Sequence, residues 1–298
     1  MIKKLGYIKR IIRRAAINYG LIRKKTFLVN KKTIALSNLN ESSLLREITL
    51  NGFESYENEL VTLIKNYPWE LYAFFDVGAN IGFYSILTEV YHPKTKIVAV
   101  EPFPKNIEYI KKIKKQNGLN FQLVERAIDK SSGEKKSFYF PTAKSSSKLA
   151  SSASLINSFK GTNGIFNHLP YETVEVETET LNSIVSSISD PCLIKIDCEG
   201  NELSILTSST PILERDNVDF IIEIMINDSD KNNVFSLMEE YGYRGFLITN
   251  SGLVHEDRPL TFPYPNRKNR TIWKNHFFTK KDISKIKDVS IKYYGYCI

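Results

Sequence analysis

Apolar positions along this chain recur in two rhythms, and their alternation predicts the fold. "AFFDVG" at 73–78 reads as a core strand running into a glycine turn. "IGFYSILTEVYH" follows at helical spacing, "KIVAVEP" is a second apolar strand, and "NIEYIKKIKKQNG" is a helix with Ile107, Ile110 and Ile113 on one face. "FQLVERAI" closes a βαβαβ series, which implies a parallel sheet covered on both faces. The rhythm breaks between Ser131 and Tyr171: "SSGEKKSFYF" predicts a turn and an edge strand, and the serine-rich stretch after it predicts a long loop. "YETVEVETE" alternates as a strand and "TLNSIVSSI" is a short helix. The series then resumes with strands in "CLIKIDCEG" and "VDFIIEIM", each followed by a helix, and ends in two late strands, "RGFLITNSG" and "RTIWKNHFFTK".

Ahead of the series, "KTFLVNKKTIALS" predicts short strands and "YENELVTLIKNY" a helix. Residues 1–25 read as a helix, broken near 18–20, in which Ile8, Ile11, Ile12 and Ala15 form a stripe between Lys9, Arg10, Arg13 and Arg14. Such a stripe packs on the domain or lies against anionic lipid, with nucleic-acid contact as the third reading. The expected organisation is a basic helical extension over 1–70, an α/β domain over 71–280 with a serine-rich insert around 141–170, and a tail over 281–298.

Charge sharpens this picture at the ends. The 298 residues carry 41 basic and 33 acidic side chains, a formal charge of +8. Nine of the bases and none of the acids lie in residues 1–25. Further basic runs are Lys111–Asn117 and Pro265–Asn275, but neither has the aromatic and glycine pattern of a single-strand-binding module, which argues against a nucleic-acid partner. Cys192, Cys198 and Cys297 form no regular framework, so a reducing compartment is expected. The basic start lacks the continuous apolar core of a signal peptide, and no apolar run is long enough to span a bilayer. The resulting expectation is a cytoplasmic protein, with the inner face of the membrane as one site of work.

The chemistry concentrates at two strand ends. Asp76 ends the first strand, Gly78 and Gly82 follow, and a helix N-terminus follows them, an arrangement that receives ligands beyond the carboxyl ends of an open sheet. The dinucleotide fingerprint and the P-loop are both absent. An acid in front of the glycines would repel a pyrophosphate and suits a ligand with an ammonium group, such as S-adenosylmethionine. Glu101, at the end of the next strand, suits vicinal ribose hydroxyls, a role that fits a nicotinamide nucleotide equally well. "RAID", Arg126–Asp129, ends the third strand near where an adenine would lie. The second cluster, "IKIDCEGNE", carries Lys195, Asp197, Glu199 and Glu202, and "FIIEI" adds Glu223. These carboxylates have three open roles: a base toward an alcohol, holders of a polyol, or, through Asp197 and Glu223, ligands of a weak divalent site. His255 and His168 are expected in loops, and no histidine or cysteine spacing supports zinc.

Taken together, "FFDVGANIGFYS", "AVEPFPKN", "RAIDKSSGE", "LIKIDCEGNELSIL" and "FIIEI" resemble the FkbM family of S-adenosylmethionine-dependent methyltransferases, over roughly Phe74 to Lys280. The resemblance implies a Rossmann-like class I methyltransferase sheet of seven strands and methylation of oxygen. Family acceptors include sugars and hydroxylated natural products. It places the cofactor against Asp76, Gly78, Ala79, Asn80, Gly82, Tyr84, Ser85, Glu101, Pro102, Asn106, Ala127 and Ile128, and catalysis on Lys195, Asp197, Glu199 and Glu223. "SSASL", Ser151–Leu155, matches a stretch near the acceptor. A surface glycan or lipid-linked saccharide, made beside glycan-assembly enzymes, is the expected acceptor; RNA and small natural products are the alternatives.

Overall fold

The computed structural model describes residues 2–142, 149, 153–156, 170–224, 230–256, 274–285 and 291–293, the side chains at 2–9, 231, 256, 285 and 291–293 excepted. His168, Cys297, most of the serine-rich insert and the basic run before residue 274 lie outside the described residues.

Helix α1 (Ile2–Asn18) leads into a hairpin of β1 (Lys24–Val29) and β2 (Lys32–Ser37). Asn30 and Lys31 both take positive φ at the hairpin's two-residue turn, as the twist of the strands requires. Helix α2 (Ser43–Asn51) starts at Ser42, whose side chain accepts from the Leu44 and Leu45 amides, and α3 (Asn58–Lys65) follows. The alternating unit is β3 (Ala73–Val77), α4 (Phe83–Tyr91), β4 (Lys96–Val100), α5 (Pro104–Asn117) and β5 (Gln122–Val124). Next come β6 (Ala127–Ile128), β7 (Lys135–Pro141), β8 (Tyr171–Glu179), α6 (Leu181–Val185) and β9 (Cys192–Ile196). The chain continues through α7 (Glu202–Thr207), α8 (Thr210–Leu213), β10 (Val218–Glu223), α9 (Lys231–Glu240), β11 (Arg244–Thr249), β12 (Gly252–Glu256), β13 (Asn275–Thr279) and β14 (Ile291–Tyr293).

The main sheet runs β14-β12-β11-β13-β10-β9-β3-β4-β5. β5, β4, β3, β9 and β10 are mutually parallel, and β13 inserts antiparallel between β10 and β11. That is the expected seven-stranded class I arrangement, widened among the described residues to nine strands because β12 and β14 add to the β11 edge. β3, β9 and β10 are buried at every residue, which is why their sequences read as apolar runs broken only by Asp76, Lys195, Asp219 and Glu223. The chain reverses direction across the sheet between β3 and β9, so their carboxyl ends form the crevice where an open sheet binds ligands.

The structure adds to the sequence expectation in two places and differs from it in a third. "SSGEKKSFYF" is the expected turn and edge strand, but the sheet it edges is a separate one: β7 pairs with β8 in a β6-β8-β7 sheet, seated through Phe138 and Val176 on Phe103. Residues 17–67, within the expected N-terminal extension, pack on the domain: Ile17, Leu45 and Leu60 join Phe74, Leu87 and Ile110 in one apolar cluster. His255 lies in β12, not a loop; it pairs with Phe246 of β11, four strands from β9. On α1, Ile17 is fully buried while Ile11 and Ile12 are 50% and 62% exposed, so the described part of the isoleucine stripe faces away from the domain. Among the described residues no helix is long and apolar enough to cross a membrane.

Candidate active site

An open cleft of about 600 Å3 lies beyond the carboxyl ends of β3, β4 and β9. Its floor is Gly78 and Asn80 after β3, and Glu101 and Pro102 after β4. Gly78 has φ +77°, and a Cβ there would lie 1.9 Å from the Asp197 carbonyl oxygen. The turn therefore demands glycine, because it packs directly on the backbone leaving β9. Gly82 has φ +75° at the start of α4, but a Cβ there would meet Ile110 and Phe121 at an ordinary 3.5 Å. Its requirement is conformational rather than spatial.

Asp76 does not line the cleft. It is fully buried, and its Oδ2 accepts from the Ser85 amide at 3.0 Å and the Ser85 hydroxyl at 2.7 Å, tying β3 to the first turn of α4. Ala79, Gly82, Tyr84 and Ser85 likewise stand behind the wall. Ala79 donates its amide to Val100, and Tyr84 donates its hydroxyl to Glu57 at 2.5 Å. Gly78, Asn80, Glu101, Pro102, Asn106, Ala127 and Ile128 do form the wall.

Glu101 is the most constrained of these. Its Oε2 accepts from the Asn80 amide at 2.7 Å and its Oε1 from the Phe103 amide at 2.8 Å. The Asn106 side chain also bonds this carboxyl, and burial pushes it up to about 8. Beyond it, Arg126 pairs with Glu177 at 2.8 Å, while Asp129 turns away to Lys136 at 2.5 Å and Ser204 at 3.3 Å.

The opposite wall is the Asp197–Asn201 loop. Glu202 organises it by accepting from the Cys198 and Gly200 amides; burial pushes this carboxyl up to about 7. Asn201 does not cap α7 with its side chain but donates Nδ2 to the Ile128 carbonyl at 3.1 Å. Glu199 has φ +52°, an unfavourable state for a side chain of this size, at the cleft edge. Carboxylate atoms of Asp197, Glu199 and Glu223 lie within 4.8 Å of one another.

Two lysines compensate this cluster. Lys195, buried, donates to Asp197 Oδ2 at 2.9 Å. Lys274 reaches Glu223 at 2.5 Å and Glu57 at 3.7 Å. Burial opposes ionisation of Asp197, but Lys195 and Lys274 outweigh it and hold its carboxyl below the usual range. Burial and then the Asp197 charge push Glu199 up to about 8, and the same two causes hold Glu223 well above the usual carboxylate range. The cluster thus pairs an ionised aspartate with a glutamate that takes or gives a proton near neutral pH.

The described part of the insert covers this edge. Ser154 bridges to Tyr139 through backbone bonds, its hydroxyl lies 3.0 Å from the Glu199 carbonyl, and Ala153 and Leu155 line the cleft. Sequence reasoning missed Lys274, Glu57 and Phe138. Lys274 read as part of a basic run and Glu57 as a helix acid; their meeting depends on β13 inserting beside β10, which no local pattern announces.

A sequence profile described as "Methyltransferase FkbM domain" matches residues 76–244. The chain belongs to this family. As an FkbM-family protein it is an S-adenosylmethionine-dependent methyltransferase. No curated protein matches its sequence. Among solved structures, precorrin-6y C5,15-methyltransferase from Geobacter metallireducens is similar at 14% identity and TM-score 0.39, covering 74% of this chain and 84% of that one. A putative transferase from Pyrococcus horikoshii is similar at 12% identity and TM-score 0.40, covering 87% and 73%. Ribosomal protein L11 methylase from Lactobacillus delbrueckii subsp. bulgaricus is similar at 10% identity and TM-score 0.36, covering 76% and 79%. Likenesses this distant carry no argument about substrate.

The cleft of this FkbM-family chain fits the cofactor. Asn80 Oδ1 is buried at the cleft wall without a hydrogen-bond partner among the described residues, and the Glu101 carboxyl stands on the same wall, where hydroxyl groups can reach it. Gly78, Asn80, Glu101, Asn106, Ala127 and Ile128 would hold it, with Asp76 and Ser85 fixing the turn from behind.

Proposed function

We propose that the protein methylates a hydroxyl group of a sugar or glycan at the cleft edge formed by Asp197 and Glu199. The carrying observation is the meeting of Asp197, Glu199 and Glu223 within 4.8 Å, with the first two on the wall of the cleft. S-adenosylmethionine supplies an electrophilic methyl group there. The chain's part is to hold the acceptor oxygen in line and to take its proton. Glu199, pushed up to about 8, is the proton acceptor in this reading. Asp197, fixed by Lys195, accepts hydrogen bonds from neighbouring hydroxyls and so orients a polyol. Glu223 and Lys274 hold the local charge behind them. An acidic edge of this kind repels a phosphate backbone, which disfavours RNA as acceptor.

A second reading places a divalent cation among the same three carboxylates, whose ligand atoms are close enough to share one. Lys195 and Lys274 already bring two positive charges to that spot, which weakens it. The test is transfer of labelled methyl from S-adenosylmethionine to a panel of free, nucleotide-linked and lipid-linked sugars, with magnesium or with chelator. Label in a saccharide under both conditions supports the first reading, and label only with magnesium supports the second. Label only in phenols, carboxylates or RNA would overturn the saccharide assignment.

A further inference from the structure

Seven large apolar side chains are exposed among the described residues, and five of them fall between positions 11 and 28: Ile11, Ile12, Tyr19, Leu21 and Leu28, at 50–84% exposure. Scattered exposed apolar residues need no explanation, but this concentration does. α1 is pinned to the domain through Ile17, which leaves the Ile11–Ile12 side of the helix facing solvent.

The same stretch is strongly basic. Arg10, Arg13, Arg14, Arg23 and Lys24 are exposed, and no acid occurs in residues 1–25. Arg23 and Lys25 bond the carbonyls of Gly20 and Thr49 rather than carboxylates. The bases also act on one another: after burial, the Arg13 charge lowers the Lys25 pKa, and the Arg14 charge does the same to Arg46. A positive field with no acid in its own segment, interleaved with solvated isoleucine, leucine and tyrosine, suits a surface that is anionic and has an apolar layer beneath. A polyanion such as RNA answers the charge and leaves the apolar groups in water.

We infer that α1 and the start of the β1–β2 hairpin are a docking surface for an anionic lipid bilayer, on which the protein lies peripherally. The helix is amphipathic and rests in the interface, since it is not long and apolar enough to cross. This surface is independent of the acceptor assigned above, and its test uses neither cofactor nor acceptor.

Co-sedimentation of the full chain with phosphatidylglycerol-containing vesicles, against phosphatidylcholine vesicles, tests it. Binding to the anionic vesicles alone is expected. Arg10→Gln/Arg13→Gln/Arg14→Gln should weaken it roughly fivefold per charge, about hundredfold in all. Ile11→Ser/Ile12→Ser should weaken it by about tenfold or more, and the residual binding should vanish at raised salt. All these side chains are exposed, so unchanged thermal unfolding of both variants is expected. Failure of the unaltered chain to bind anionic vesicles would overturn the inference. So would vesicle binding that Ile11→Ser/Ile12→Ser leaves intact, or heparin binding without vesicle binding, each of which marks a purely electrostatic, nucleic-acid-like contact.

Discussion

Gly78→Ala probes how the cleft is held open, and Gly82→Ala is its internal control. Both glycines have φ near +75°, and an alanine there costs about 1–2 kcal/mol in backbone strain. They differ in what a methyl group would meet. At Gly82 the new carbon rests 3.5 Å from Ile110 and Phe121, an ordinary contact. At Gly78 it falls 1.9 Å from the Asp197 carbonyl oxygen, so the β3 turn and the backbone after β9 must separate by about 1.5 Å. That movement strains the bonds from Asp197 to Val77, 3.1 Å, and from Gly78 to Val100, 3.0 Å, each worth about 1 kcal/mol. Gly78→Ala should therefore destabilise by about 3–4 kcal/mol, and Gly82→Ala by about 1–2 kcal/mol. A displacement of this size at a reacting centre costs about a hundredfold in rate. Urea unfolding gives the stabilities, and calorimetric titration with S-adenosylhomocysteine gives the binding. Equal destabilisation of the two variants, or full affinity in Gly78→Ala, would refute the close-approach argument.

Other outcomes follow from the same geometry. Glu199→Gln should lower methyl transfer by about 100- to 10,000-fold while leaving S-adenosylhomocysteine binding within a few-fold, and the unaltered rate should rise with pH through about 8. Stability of the cofactor-free protein should fall as pH rises from about 4.5 to 8, because Glu101, Glu199 and Glu202 hold protons in that window that the unfolded chain has lost; urea midpoints across it, flattened in Glu101→Gln, would show this. Lys274→Met leaves Glu223 buried beside Asp197 without its cation and should cost about 2–3 kcal/mol, with Glu223→Gln restoring part of it. Ser154→Ala removes the hydroxyl held over the Cys198–Glu199 backbone; a raised KM for the acceptor with unchanged cofactor affinity is the expected kinetic split.

The alternation of strand and helix was legible in the sequence because each central strand is buried on both faces and the helices, α4 excepted, on one. So were the two acidic strand ends. Motif spacing alone brought Asp76, Glu101 and Asp197 to one edge, since parallel strands in register present their ends together. The division of labour among those residues was not legible. Asp76 looks like a ligand contact in the sequence, yet its position behind the glycine turn makes it the anchor of Ser85, and that depends on how α4 packs on β3. Lys274 and Glu57 enter the site only because β13 runs antiparallel beside β10, a long-range pairing without a local signature. The isoleucine stripe of α1 fixed an amphipathic helix but not the direction it faces. That was decided by Ile17, the residue that packs into the shared core, because tertiary burial selects one side of a helix whose periodicity permits either.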